Sequence, residues 1–220
     1  MSLRTLVHDA LSTVYDPELD EPVTTLGFVG SCVVGEDGDV DVRLRLPTPQ
    51  CAPNFAFLMA ADARDALRRV PGVGAVTVVL EDHYTGDEIN AAVGAGGGFE
   101  AAFPEDRVEG DLSALRELFQ RKALLARQSS LLGTVADPVR ATLGELHGPD
   151  ADRCRALRRA LRIDDDDAAP AFVTGDGRPV GAGELPRFKR MAGLTALSLE
   201  TNGGMCRDLL AVRYKEGMAA

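Results

Sequence analysis

Residues 40–80 do most to narrow the folds open to this chain. Val40, Val42, Leu44 and Leu46 alternate with Asp41, Arg43 and Arg45, the period of a strand with one dry and one wet face. A loop follows, Leu46-Pro47-Thr48-Pro49-Gln50-Cys51-Ala52-Pro53-Asn54, and Pro53 is well placed in the first turn of a helix. Ala56, Met59, Ala60, Ala63, Leu67 and Val70 then form an apolar helical stripe, which Pro71-Gly72 stops before the valine-rich run Val73 to Leu80. Strand, helix, strand in that order implies a right-handed crossover between two parallel strands.

The residues ahead of this unit complete a small domain. Leu3, Leu6, Val7, Ala10, Leu11 and Val14 recur at helical spacing, so residues 3–14 read as an amphipathic helix. Tyr15-Asp16-Pro17-Glu18 ends it, because proline disfavours helical geometry in the residue before it. Phe28 to Val34 is apolar enough for a strand, and Gly35-Glu36-Asp37-Gly38 is turn chemistry, giving a hairpin with the alternating strand. The fold class is therefore α/β (α+β): an α-β-β-α-β domain with a mixed sheet over residues 1–84.

Beyond residue 84 the character changes. Gly94-Ala95-Gly96-Gly97-Gly98 and the polar run Pro104 to Gly110 read as a flexible Gly-rich linker over 85–110. Residues 111–220 read as a mainly helical extension. Leu112 to Leu131 supports a long helix, Asp137-Pro138 looks like the cap of a second, and Asp150 that of a third. The third carries Arg153, Arg155, Arg158, Arg159 and Arg162, and Asp164 to Asp167 follow; both are expected as solvated, mutually neutralising faces. Pro170 to Val180 resembles a short β-hairpin around Gly175-Asp176-Gly177, and Asn202-Gly203-Gly204-Met205-Cys206 reads as a loop.

A net charge of −10 and a pI near 4.8 argue against a nucleic-acid surface, which draws on Lys/Arg contacts to phosphate. No apolar stretch approaches the ~20 residues that span a bilayer. His8 and Asp9 interrupt the first apolar positions, unlike a signal peptide, so the expected location is the cytoplasm. The cysteines, Cys32, Cys51, Cys154 and Cys206, lie far apart with no C-x-x-C pair, so in a reducing compartment they are expected as free thiols.

Cys51 is the chief candidate for chemistry. A thiol between a strand and a helix start sits beside backbone N–H groups and a positive dipole end, both favouring thiolate; the alternative is a buried cysteine packed as a small hydrophobe. Thr48 is placed to hydrogen-bond that sulfur or simply to stabilise the loop. Asp16 and Glu18 lie where a carboxylate faces the Cys51 loop, although Asp16 also suits a local turn. His83 follows the last strand and shares a sheet edge with Cys51, as a thiol partner or as an ordinary surface histidine. Cys206 is the more plausible second thiol. Cys32 reads as packing, and Cys154 lies within the arginine-rich helix.

Asp16-Pro17-Glu18, Thr25-Leu26-Gly27-Phe28-Val29, the Leu46 to Pro53 loop and Arg69-Val70-Pro71-Gly72-Val73, in that order, resemble the PaaD- and SufT-like metal–sulfur (iron–sulfur) cluster assembly family. The resemblance covers residues 3–84. It implies a non-enzymatic factor that assembles or delivers iron–sulfur clusters, with Cys51 as the cluster or client thiol and Asp16 and Thr48 near it. A transient iron–sulfur cluster is the implied cofactor, with Cys51 and Cys206 as candidate ligands. Such clusters typically take four thiolates, so a homodimer, Cys206 or glutathione would complete the set. The implied partner is a client iron–sulfur or iron protein, such as a multicomponent oxygenase. Two features depart from the pattern: Ala52 separates Cys51 from Pro53, and the region after residue 84 exceeds the family's usual extent. The competing readings are an enzyme with Cys51 as nucleophile and His83 as base, and a metal-free adaptor for an oxygenase complex.

Overall fold

The computed structural model describes residues 1–104 and 112–215. These cluster into two compact units, Met1–Ser113 with Asn202–Ala220 and Ala114–Thr201. The fold class is the one read from the sequence, mixed α/β followed by a helical region.

In the first unit, helix α1 (Leu3–Leu11) starts at Ser2, whose hydroxyl accepts from the Thr5 amide at 3.2 Å, and buries Val7 and Leu11. A two-stranded ribbon, β1 (Tyr15–Asp16) with β2 (Glu21–Pro22), follows. The main sheet has the order β3 (Val29–Val34), β4 (Val40–Arg45), β5 (Val76–Glu81). β3 and β4 form the antiparallel hairpin and β4 and β5 run parallel in register Val40↔Val76 to Arg45↔Glu81. The alternation in β4 works as expected: Val40, Val42 and Leu44 are buried, while Asp41, Arg43 and Arg45 are half-buried. Helix α2 (Pro53–Arg68) crosses between the parallel strands and lays Ala56, Met59, Ala60, Ala63 and Leu67 on the sheet. Each fully buried large side chain here contributes about 1.5–3 kcal/mol of hydrophobic stabilisation.

Three expectations for this unit need correction. The stretch after residue 85 contains helix α3 (Gly86–Ala95) and the short α4 (Phe99–Ala102). Ile89, Ala92 and Val93 fall at helical spacing and join the core, and Gly96, left-handed at φ +74, ends α3, so part of the glycine run is a helix terminus. Residues 105–111, most of the expected polar run, lie outside the described residues. Asn202 to Cys206 is helical, within the 31-residue α7 (Leu185–Lys215), so the Gly-Gly pair did not break the helix. Gly203 is buried, and a Cβ there would lie 2.6 Å from Glu21 Oε1, which explains a small residue on this face. Finally, Cys32 is exposed on the edge strand β3 rather than packed.

The second unit contains α5 (Ser113–Leu131), a 3-10 turn (Leu143–Glu145), α6 (Pro149–Leu161) and residues 185–201 of α7. No α-helix opens at Asp137-Pro138; the Asp137 carboxylate accepts from the Val139 amide at 3.0 Å in a local turn. α6 is capped at Gly148, two residues before the expected cap Asp150. Its basic side chains are not all solvated. Arg158 is fully buried, donating to the Asp164, Pro170 and Ala171 carbonyls at 3.2, 2.9 and 2.7 Å, whereas Arg155 and Arg159 pair with Asp167 and Asp165. The hairpin around Gly175 is a single bridge, Val173↔Pro179. Among the described residues, no helix is long and apolar enough to cross a membrane.

Candidate functional site

The parallel pair β4–β5 brings the loop after β4 and the turn after β5 to one edge of the sheet. The Tyr84 amide donates to the Pro49 carbonyl at 3.1 Å, tying one to the other. Cys51 is partly buried in that loop, just before α2. Its amide donates to the Thr48 carbonyl at 3.4 Å, and its sulfur lies 3.5 Å from the Thr48 hydroxyl. Ala52 caps α2 without a side-chain acceptor and Pro53 occupies its first turn, so the sulfur precedes the positive end of a four-turn helix. In that contact either the Thr48 hydroxyl or the Cys51 thiol can act as the donor.

His83 approaches Cys51 at the backbone rather than at sulfur. Its Nε2 lies 2.7 Å from the Cys51 carbonyl oxygen, while its Nδ1 accepts from the Thr85 amide at 3.3 Å. An amide can only donate, so Nδ1 carries the lone pair and Nε2–H donates to the carbonyl. Burial holds the imidazole below the ordinary histidine range, opposed by the bond to the carbonyl, and the nearby Arg213 charge also lowers it. The neutral ring therefore fixes the loop.

Asp16 is buried, and its Oδ1 accepts from the Glu18 and Leu19 amides, both at 2.8 Å, closing the turn of the Asp-Pro-Glu segment. Burial nonetheless raises its carboxyl to about 6, outweighing those two bonds, and the charges of Glu18 and Glu21 push the same way. Glu18 thus enters the site through its charge.

Cys206 comes from the last third of α7. Burial pushes its thiol up to about 11, and the charges of Asp16, Cys51 and Glu18 add to that effect. Sequence reasoning missed the residues that seat this helix. Arg207 Nη1 meets Glu21 Oε2 at 2.5 Å, and Glu21 is the register partner of Asp16. Arg213 donates to the carbonyls of Leu46 and Asp82 at 3.0 and 2.5 Å, and the Tyr214 hydroxyl lies 3.1 Å from Asp82 Oδ2. Cys206, Arg207, Leu210, Arg213 and Tyr214 recur at three- and four-residue steps; that periodicity was legible, but the Gly-Gly pair masked the helix carrying it.

Cys51, Thr48 and His83 thus form one cluster, and the charges of Asp16, Cys51 and Glu18 are felt at Cys206. Among the described residues, no three His, Cys, Asp or Glu side chains are arranged to hold a metal ion. Cys51 and Cys206 offer soft thiol donors of the kind iron–sulfur chemistry uses.

Comparison with known proteins points the same way. Residues 4–78 match the family described as iron–sulfur cluster assembly protein. The Methanocaldococcus jannaschii protein MJ1129 is 32% identical over 84 residues, 38% of this chain and 86% of the relative. The iron–sulfur cluster carrier protein of Mycobacterium tuberculosis is 39% identical over 79 residues, 36% of this chain but only 20% of the carrier. The Fe–S protein maturation auxiliary factor of Porphyromonas gingivalis is 40% identical over 70 residues, 32% of this chain and 65% of that protein.

Proposed function

Because this chain belongs to the iron–sulfur cluster assembly protein family, we propose that it matures a client iron–sulfur or iron protein, with Cys51 as the thiol that meets cluster or client. The observation that carries the reading is the placement of Cys51: its sulfur is 3.5 Å from the Thr48 hydroxyl at the start of α2, while His83 holds the loop by its backbone. A sulfur so placed is a competent soft ligand on a pre-formed loop. The names of the relatives, carrier and auxiliary maturation factor, support a role without turnover of a substrate.

The cluster is cargo. Cys51 and Cys206 are the two thiols that this reading assigns to the cluster from one chain, half of the usual four once deprotonated by the metal. A second copy of the chain or a small thiol supplies the rest, which suits a cluster that must leave again. The reading of Cys51 as a nucleophile with His83 as base is not favoured, since Nε2 faces the carbonyl and Nδ1 the Thr85 amide.

Thiol protection tests this. The reduced protein is alkylated anaerobically before and after incubation with ferrous iron and sulfide, and the labelled cysteines are identified by peptide mass spectrometry. Cys51 and Cys206 are expected to react in the first sample and to be protected in the second, with exposed Cys32 labelled in both. Equal labelling of Cys51 with and without iron and sulfide would count against it as a cluster ligand.

A further inference from the structure

The extension returns to the family domain with a cysteine, and the residues around that cysteine define where it points. Gly203, Cys206, Arg207, Leu210, Arg213 and Tyr214 lie on one face of α7, at spacings of three and four. A Cβ on Gly203 would meet Glu21, and Arg207 is ion-paired with Glu21 at 2.5 Å. One turn on, Leu210 Cδ2 lies 3.4 Å from where a Cβ on Gly27 would stand. A further turn on, Arg213 reaches the Leu46 carbonyl, at the root of the Cys51 loop, and the Asp82 carbonyl, next to the histidine that holds Cys51. Cys206 therefore sits on the docked face, bracketed by contacts to the Asp-Pro-Glu ribbon and to the Cys51 loop. Both sulfur-bearing residues pack against the same hydrophobic core.

We propose that Cys51 and Cys206 are a redox pair that closes into an intrachain disulfide when the protein meets a low-molecular-weight disulfide. The other two cysteines are placed elsewhere: Cys32 is on the exposed edge strand β3 and Cys154 is buried in the second unit.

The chemistry balances. Cys51, as thiolate, attacks one sulfur of R–S–S–R; a Cys51–S–R bond forms and RS⁻ leaves. Cys206, as thiolate, attacks the Cys51 sulfur of that mixed disulfide and expels the second RS⁻. Two protein thiols are oxidised, one small disulfide is reduced to two thiols, and the protons lost by Cys51 and Cys206 end on them. A disulfide needs Cα atoms about 4.4–6.8 Å apart. If the proposed function holds, oxidation removes both thiolates from cluster binding at once. The disulfide itself does not depend on that reading.

The test uses the full reduced chain, treated anaerobically with oxidised glutathione, alkylated and digested without reductant. Expected is a Cys51–Cys206 linked peptide within single chains, with the loss of two alkylatable thiols and little lasting glutathione adduct. In Cys206→Ser, the glutathione adduct on Cys51 is expected to accumulate instead; Cys32→Ser should behave as wild type. A stable Cys51 adduct in the wild type without the linked peptide would overturn the proposal, as would linkage of Cys51 to Cys32 or Cys154. Because no iron enters this experiment, its outcome stands apart from that of cluster binding.

Discussion

Asp16 is a buried carboxyl whose proton comes off near 6 in the folded chain against 3.8 ordinarily, so ionising it works against the fold. The sign follows from proton counts. Between those values the folded chain holds the proton and the unfolded chain has lost it, so stability falls as pH rises through the window and is flat above it. The gap corresponds to a loss on the order of 3 kcal/mol. Asp16→Asn removes the titration but keeps an Oδ1 to accept from the Glu18 and Leu19 amides. The stability of the variant relative to wild type should therefore grow by on the order of 3 kcal/mol between pH values below 3.8 and above 6. Urea unfolding of both proteins across that range, followed by circular dichroism, measures the difference. His83, held below its ordinary range, gives a slope of opposite sign, but it is present in both proteins and cancels. A difference that stays constant with pH, or shrinks as pH rises, would refute the assignment of burial as the dominant influence on Asp16.

Other consequences follow from single contacts. Gly38→Ala should destabilise the first unit by at least about 1–3 kcal/mol in the same assay, because φ is +87 and the new Cβ would lie 2.5 Å from the Gly72 carbonyl oxygen. Arg158→Lys should cost about 3 kcal/mol or more, since a single ammonium replaces a planar donor to the carbonyls of Asp164, Pro170 and Ala171; thermal unfolding reads it. His83→Ala should change the rate of Cys51 alkylation by less than about tenfold, against the 10²–10⁴ typical of losing a general base. A larger loss, with a pH profile that follows histidine, would revive the nucleophile reading.

How far the sequence carried differs along the chain. The strand alternation at Val40 to Arg45 and the stripe from Ala56 to Leu67 each point to one face of one element, and the structure has those faces buried as read. The glycine-rich stretches misled because glycine reports permissiveness, not conformation. Gly94 to Gly98 ends a helix whose apolar face, Ile89, Ala92 and Val93, was the stronger signal, and Gly203 is small to accommodate Glu21. At the site, a thiol beside Thr48 was legible from local spacing. The role of His83 was not, because its two ring nitrogens are assigned by a carbonyl 32 residues away and by its own turn. Arg207, Arg213 and Tyr214 escaped for a related reason: their partners at Glu21, Leu46 and Asp82 are more than 130 residues distant in sequence.

Anaerobic reconstitution of wild type and Cys51→Ser with iron and sulfide, read by visible absorption together with bound iron and acid-labile sulfide, tests the central claim most directly. The expected result is cluster absorption with stoichiometric iron and sulfide in the wild type, abolished in Cys51→Ser, with the variant retaining the circular dichroism of the native fold. Equal iron and sulfide in both proteins, or none in either, would contradict Cys51 as the thiol that takes the cluster.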